Sequence, residues 1–304
     1  MPARLHKLLA ASGHGSRRAI ERWIRAGRIT RNGYAAELGE VAEPGDDIRL
    51  DGRRLQLAPP QPAIQVLLYH KPAGEVTTRQ DPQGRPTVFN HLPPPRHGRW
   101  VAVGRLDVGT TGLLLFTTDG ALAHRLMHPS SEVQREYVVR VRGHLAREKL
   151  TALTAGVELE DGRAHFDVLE PLPAHGHAPA ARTHRWYRVS LREGRNREVR
   201  RLWMAVGCEV SRLKRVRYGP IELPAELAPG AWRYAAPHEL AALQAAAPAV
   251  GEQVTRNASA TIIRHGASDD ALARREGGDL RSRHAAAERG GDRHARRAHR
   301  VGRR

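Results

Sequence analysis

Pro59-Pro60-Gln61-Pro62 divides this chain before any secondary structure is assigned. Prolines lack the N–H that a helix or a sheet ladder needs, and each fixes its own φ, so neither element runs through such a run. The chain is therefore expected to form a small unit over residues 1–58, a semi-rigid linker over 59–63 and a larger unit over 64–245. A change of composition adds a third boundary. Across residues 246–304 apolar periodicity fades, aromatic side chains are missing and arginine clusters accumulate, so a disordered basic tail is expected there.

Charge narrows the partners. Fifty Lys and Arg against 32 Asp and Glu leave a formal net charge of +18, which calls for a polyanion such as nucleic acid or an anionic membrane surface. Membrane is the weaker option, because no apolar run approaches the roughly 18 residues of a spanning helix. Leu8-Leu9-Ala10-Ala11 is too short and too closely flanked by charge for a secretory segment, and a cytoplasmic, monomeric protein is expected. Cys208 is the only cysteine, so no internal disulfide can form, and its neighbours Val206 and Val210 favour a packed thiol.

Residues 1–58 read as two short helices followed by hairpins. Leu5, Leu8 and Leu9 make one helical stripe; Ile20, Trp23 and Ile24 make a second, with Ser16 as its N-cap and Gly27 as its stop. Asn32-Gly33 and Asp51-Gly52 are hairpin signals. Arg17, Arg18, Arg22 and Arg25 lie along the second helix, with Arg28 and Arg31 just beyond and Glu21 the only nearby acid. Such a run is either a solvated face or a phosphate-binding one, and the excess of arginine favours RNA.

In the larger unit, strand candidates recur at 64–69, 100–103, 113–117, 137–141, 186–191 and 210–217, with helix candidates at 120–127, 146–154 and 196–206. This order is neither strict βαβ alternation nor all-β, and it implies an α+β fold with a mixed sheet. Before one of the strands stands Gly104-Arg105-Leu106-Asp107. From spacing alone Asp107 reads either as a turn residue or as a carboxylate kept ionised by its arginine neighbour. Val199, Leu202, Trp203 and Val206 fall at helical spacing and fix a core face, leaving Arg200 at its boundary. Glycine-rich phosphate loops, cysteine pairs and His-Glu-x-x-His helices do not occur, so neither metal nor cofactor is expected; His175 and His177 flank Gly176 without further ligands.

Four blocks carry a resemblance. VLLYHKPAGEVTTRQDPQGRPTVFNHLP at 66–93, GRLDVGTTGLLLFTTDG at 104–120, HPSSEVQREYVVRV at 128–141 and WYRVSLREGRNREVRRLWMAVGCEVSRLKRVRYG at 186–219 together resemble the pseudouridine synthases that act on ribosomal RNA. Residues 1–58 resemble the RNA-binding domain named after small-subunit ribosomal protein S-four. The resemblance covers residues 3–240 and implies a largely antiparallel sheet with a cleft across it, with ribosomal RNA, 23S rather than 16S, as the partner.

It also implies roles. Asp107 is the expected nucleophile, Arg105 the residue that fills the space of the extruded nucleotide, Tyr137 the ring that stacks on the target base, and Arg200 the cation paired with Asp107. Arg195, Arg197 and Arg201 are expected at phosphates or in solvent. Gln134, where the family often has Glu, the proline- and histidine-rich stretch 173–185 and the tail depart from the pattern. The alternative class is a non-catalytic RNA-binding assembly factor. A two-metal nuclease is disfavoured because Asp107, Asp119, Asp161 and Asp167 are not clustered.

Overall fold

The computed structural model describes residues 2–43, 45–57, 63–143, 145–173 and 184–247. The proline run, most of the 173–185 stretch and all but the first two residues of the expected tail lie outside these residues.

The first unit opens with strand β1 (Ala3–Arg4) and helices α1 (Leu5–Ala11) and α2 (Arg17–Arg25). Strands β2 (Ile29–Arg31), β3 (Tyr34–Ala35), β4 (Val41–Ala42), β5 (Ile48–Leu50) and β6 (Arg53–Arg54) follow. Ser16 caps α2 by accepting the Ala19 N–H at 3.1 Å, and both Asn-Gly and Asp-Gly pairs turn hairpins, β2–β3 and β5–β6. Leu5, Leu9, Ile20, Ile24, Ile29 and Ile48 close a core of their own, which is why the apolar stripes of α1 and α2 meet.

The second unit is a nine-stranded sheet. Its strands and helices are β7 (Val66–Lys71), β8 (Val101–Val103), β9 (Thr110–Thr117), α3 (Gly120–Met127), β10 (Arg135–Arg142) and α4 (Arg147–Ala155). After these come the hairpin β11 (Val157–Leu159) and β12 (Gly162–Ala164), then β13 (Val168–Leu172), β14 (His184–Leu191), α5 (Glu198–Ala205), β15 (Glu209–Tyr218), β16 (Ile221–Glu222), β17 (Trp232–Tyr234) and α6 (Pro237–Ala246). The main path runs β13-β14-β10-β15-β9-β7-β17, every neighbour antiparallel except β15 and β9. At that parallel joint Gly112 is required. Its φ is +105°, and a Cβ there would lie 2.1 Å from the Arg215 carbonyl oxygen.

Strand parity separates two cores. Leu67, Tyr69, Leu114 and Phe116 face one side and join Tyr137, Val139 and Val141 of β10, over which α5 lays Val199, Leu202 and Trp203. Val66, Leu68, Leu113 and Leu115 face the other side, under Leu122, Ala123 and Leu126 of α3 and Leu243 of α6. Helices thus cover opposite faces of the two halves of the sheet.

Candidate functional site

Asp107 sits on the connection from β8 to β9, and four groups pin that loop. Thr77 Oγ1 donates to the Leu106 carbonyl at 2.9 Å and accepts the Leu106 N–H at 3.3 Å. The Gly74 N–H donates to the Val108 carbonyl at 2.9 Å, and the Thr110 N–H closes back on the Asp107 carbonyl at 3.0 Å. Beneath lies Lys71, fully buried at the end of β7, whose Nζ donates to the carbonyls of Pro72, Val108 and Thr110 at 2.8, 3.3 and 3.0 Å. Burial pulls this ammonium down to about 8, while Glu75 and Asp107 oppose that shift. A loop so held presents its carboxylate in one place, with the side chain still 34% exposed.

Two cations meet that carboxylate from α5. Arg197 Nη1 donates to Asp107 Oδ2 at 3.4 Å, and Arg200 Nε lies 4.0 Å from the same oxygen. The expectation placed Arg200 in this role and Arg197 at a phosphate or in solvent; in the structure both face Asp107, and Arg197 is the nearer. The reason is backbone. Arg197 adopts a left-handed conformation, φ 50° and ψ 30°, as the N-cap of α5, so the helix expected from 196 begins at Glu198 and the Arg197 side chain turns toward the loop. Arg200 is half-buried and fixed by the carbonyls of Val210 at 2.9 Å and Gly109 at 3.5 Å, with burial lowering its guanidinium from the usual range.

Tyr137 is buried on β10, paired with Val189 on one side and Arg215 on the other, and shares the core that Leu106 enters beside Asp107. Among the described residues no hydrogen bond joins Tyr137 to Asp107. Arg105 is exposed next to Gly104, at the mouth of the loop.

Other expected RNA contacts divide. Arg17, Arg18, Arg22 and Arg25 are exposed along α2. Arg28, in contrast, is paired with Asp51, and Arg31 with Glu40 and Asp46, so Glu21 is not the only acid that matters and these two arginines brace their own unit. Arg201 grips Asp161 with two 2.8 Å hydrogen bonds, which hold that carboxyl down at about 2. Arg195 donates to the carbonyls of Asp161, Gly162 and Arg163 at 3.1, 2.9 and 2.9 Å. Both arginines therefore clamp the β11–β12 hairpin to α5 instead of standing out toward phosphates.

Sequence reasoning missed Lys71 and Thr77. The signal for Lys71 was a charge ending an otherwise apolar strand, VLLYHK, directly before Pro72; Thr77 carried none. Among the described residues no group of three His, Cys, Asp or Glu side chains is placed to hold a metal ion.

Comparison with known proteins bears on this geometry. Residues 65–205 match the family model described as RNA pseudouridylate synthase, and residues 3–48 match the S4 domain. The chain is 56% identical over 232 residues to ribosomal large subunit pseudouridine synthase B of Xylella fastidiosa, covering 75% of this chain and 48% of that protein. It thus spans about half the length of that relative. Against the protein of the same name from Salmonella typhi the identity is 55% over 235 residues, covering 76% of this chain and 79% of that one. A crystal structure of a pseudouridylate synthase superposes with a TM-score of 0.55 at 27% identity, covering 79% of this chain and 99% of that one. With an S4-like unit ahead of a mixed, largely antiparallel sheet, and Asp107 held between that sheet and α5, the chain belongs to the pseudouridine synthase family.

Proposed function

We propose that this protein isomerises a uridine of ribosomal RNA to pseudouridine, with 23S rRNA as its substrate and Asp107 as its nucleophile. The observation that carries the reading is Asp107 itself: a partly exposed carboxylate on a loop pinned by Thr77, Gly74 and Lys71, with Arg197 and Arg200 converging on one oxygen. The choice of 23S rRNA rests on the relatives, which are ribosomal large subunit pseudouridine synthases.

The reaction detaches uracil from ribose at a ring nitrogen and rejoins it at a ring carbon; a proton leaves that carbon and the nitrogen gains one. Nothing is oxidised or consumed. Arg197 and Arg200 converge on one oxygen of the carboxylate, at 3.4 and 4.0 Å, and aim the group at the substrate. Tyr137 supplies an aromatic face for the extruded base, and exposed Arg105 takes the space the base leaves and meets backbone phosphate. The α2 arginines add sequence-independent affinity for RNA, acting in a monomer.

Asp107→Asn keeps the shape and removes the charge, so RNA affinity should persist while isomerisation falls below about one-hundredth of the parent rate. Release of tritium from the uracil ring carbon of labelled 23S rRNA measures it. Persistent turnover with deamidation excluded would remove Asp107 from the role; normal binding without turnover in the unaltered protein would favour an assembly factor.

A further inference from the structure

Among the described residues, the half of the sheet that α5 covers on one face has no helix packed on the other. Alternate residues of β10, namely Glu136, Val138, Arg140 and Arg142, point away from the core that Tyr137, Val139 and Val141 enter. Register fills in the neighbours. Arg188 and Lys214 flank Val138, and Trp186 and Arg212 flank Arg140. None of these positions is buried, and Arg142, Arg188 and Arg212 are exposed.

Cations outnumber carboxylates on this face, and most of them are not ion-paired. Among the described residues Arg140, Arg142, Arg188, Arg212 and Lys214 form no ion pair. Glu170, opposite Arg188, and Glu209, opposite Arg142, stand in register without pairing to them. Arg217, one row further, is neutralised by Glu136 and Glu222. Arg140 directly faces Arg212, and like charges opposite one another destabilise a ladder. Arg140 is nonetheless held in place, its Nε donating to Ser211 Oγ at 3.0 Å while that hydroxyl donates back to the Arg140 carbonyl at 3.0 Å. The strands thus hold five cations on one face with a partly exposed tryptophan, Trp186, among them, the combination that binds phosphate and stacks a base.

We propose that this face is a second RNA-binding surface, on the opposite side of the sheet from Asp107, which contacts the phosphate backbone of RNA outside the target loop. It rests on the reading of the protein as an enzyme of ribosomal RNA and extends it to a long, folded substrate. A short stem-loop placed at Asp107 meets only the α5 side; a larger fragment passes round the β13 edge and meets both.

The test compares two RNAs with the Arg140→Gln, Arg188→Gln, Arg212→Gln, Lys214→Gln variant of the full chain. Binding of a 23S fragment of several helices should weaken at least about tenfold at physiological salt, with the slope of log affinity against log salt flatter by about two or more, as loss of two or more phosphate contacts requires. Binding and turnover of a minimal stem-loop should stay within about twofold of the parent, and Tm should not fall, because repulsion has been removed. Unchanged affinity for the long fragment overturns the proposal and leaves the face to an acidic protein. An equal loss on both RNAs overturns it too, since the face would then act through the catalytic side. If the quadruple variant folds poorly, Arg188→Gln with Arg212→Gln carries the same comparison on exposed positions alone. Binding is the readout, so absence of turnover on every RNA would sink the reading of Asp107 and leave this surface to be judged on its own.

Discussion

Arg197 concentrates the argument at the scale of single residues. A non-glycine residue in the left-handed region costs on the order of 1 kcal/mol, and here that conformation is what carries a guanidinium to Asp107. Arg197→Gly should therefore leave Tm level or raised while turnover drops at least about tenfold, the separation expected when backbone strain serves the site and not the fold. Arg200→Met should behave differently: its guanidinium also holds the Val210 and Gly109 carbonyls, so both Tm and turnover should fall. Thermal melts and single-turnover rates on one stem-loop separate the two arginines, and identical effects on both would merge their roles. Sequence periodicity could single out Arg200 because it borders the apolar face of α5. It could not single out Arg197, which lies before the helix and is aimed by a backbone angle that no pattern of side chains encodes. Lys71 was hidden for a related reason, since one polar residue at the end of a buried strand looks the same whether it snorkels out or turns in to three carbonyls.

At the scale of elements, the first turn of α5 joins the candidate site to stability. Glu198 is buried there and accepts the Arg195 N–H at 3.1 Å, and burial raises its carboxyl from 4.5 to about 7. Between those values the folded protein holds a proton that the unfolded chain has released, so stability falls as pH rises through the window and is flat above it. Glu198→Gln keeps the acceptor and cannot ionise; it should erase that slope, gain roughly 1–3 kcal/mol at pH 8 and converge with the parent near pH 4. Urea midpoints across this range decide it, and a parallel pH dependence in both proteins would mean the slope comes from elsewhere. The elements themselves were legible in proportion to their periodicity. Strands β7, β9, β10, β14 and β15 are long apolar or alternating runs, and their expected ranges overlap the observed ones. Missed, besides the short β11, β12 and β16, were β13, whose Pro171 is tolerated only because the strand lies at an edge, three-residue β17, and α6, an alanine-rich helix with few large apolar side chains to mark a face.

For the whole molecule, the proline run suggested two modules joined only by a linker, and the structure adds a direct contact. At the end of α1 and in the loop before β8, Gly13 and Gly98 both take positive φ, +91° and +71°, and their backbones touch. A Cβ on Gly98 would stand 2.5 Å from the Ala11 carbonyl oxygen, and one on Gly13 would stand 2.7 Å from that of Gly98. Only glycine permits so close an approach. Removal of residues 1–62 should leave the two cores of the sheet intact and the stem-loop still modified at high enzyme concentration, while affinity for structured rRNA drops. Its salt slope should flatten by about 0.9 for each α2 arginine that had met a duplex phosphate. Gly98→Ala should reproduce part of that loss without removing a single charge, because it forces the α1 end away from the loop and with it the arginine face of α2. A full-length Gly98→Ala protein that binds long RNA as tightly as the parent would show that the contact does not orient the α2 face. A folded truncated protein inactive on every RNA would instead place part of the catalytic machinery in the first unit, and the division drawn at the prolines would hold for the chain but not for the function.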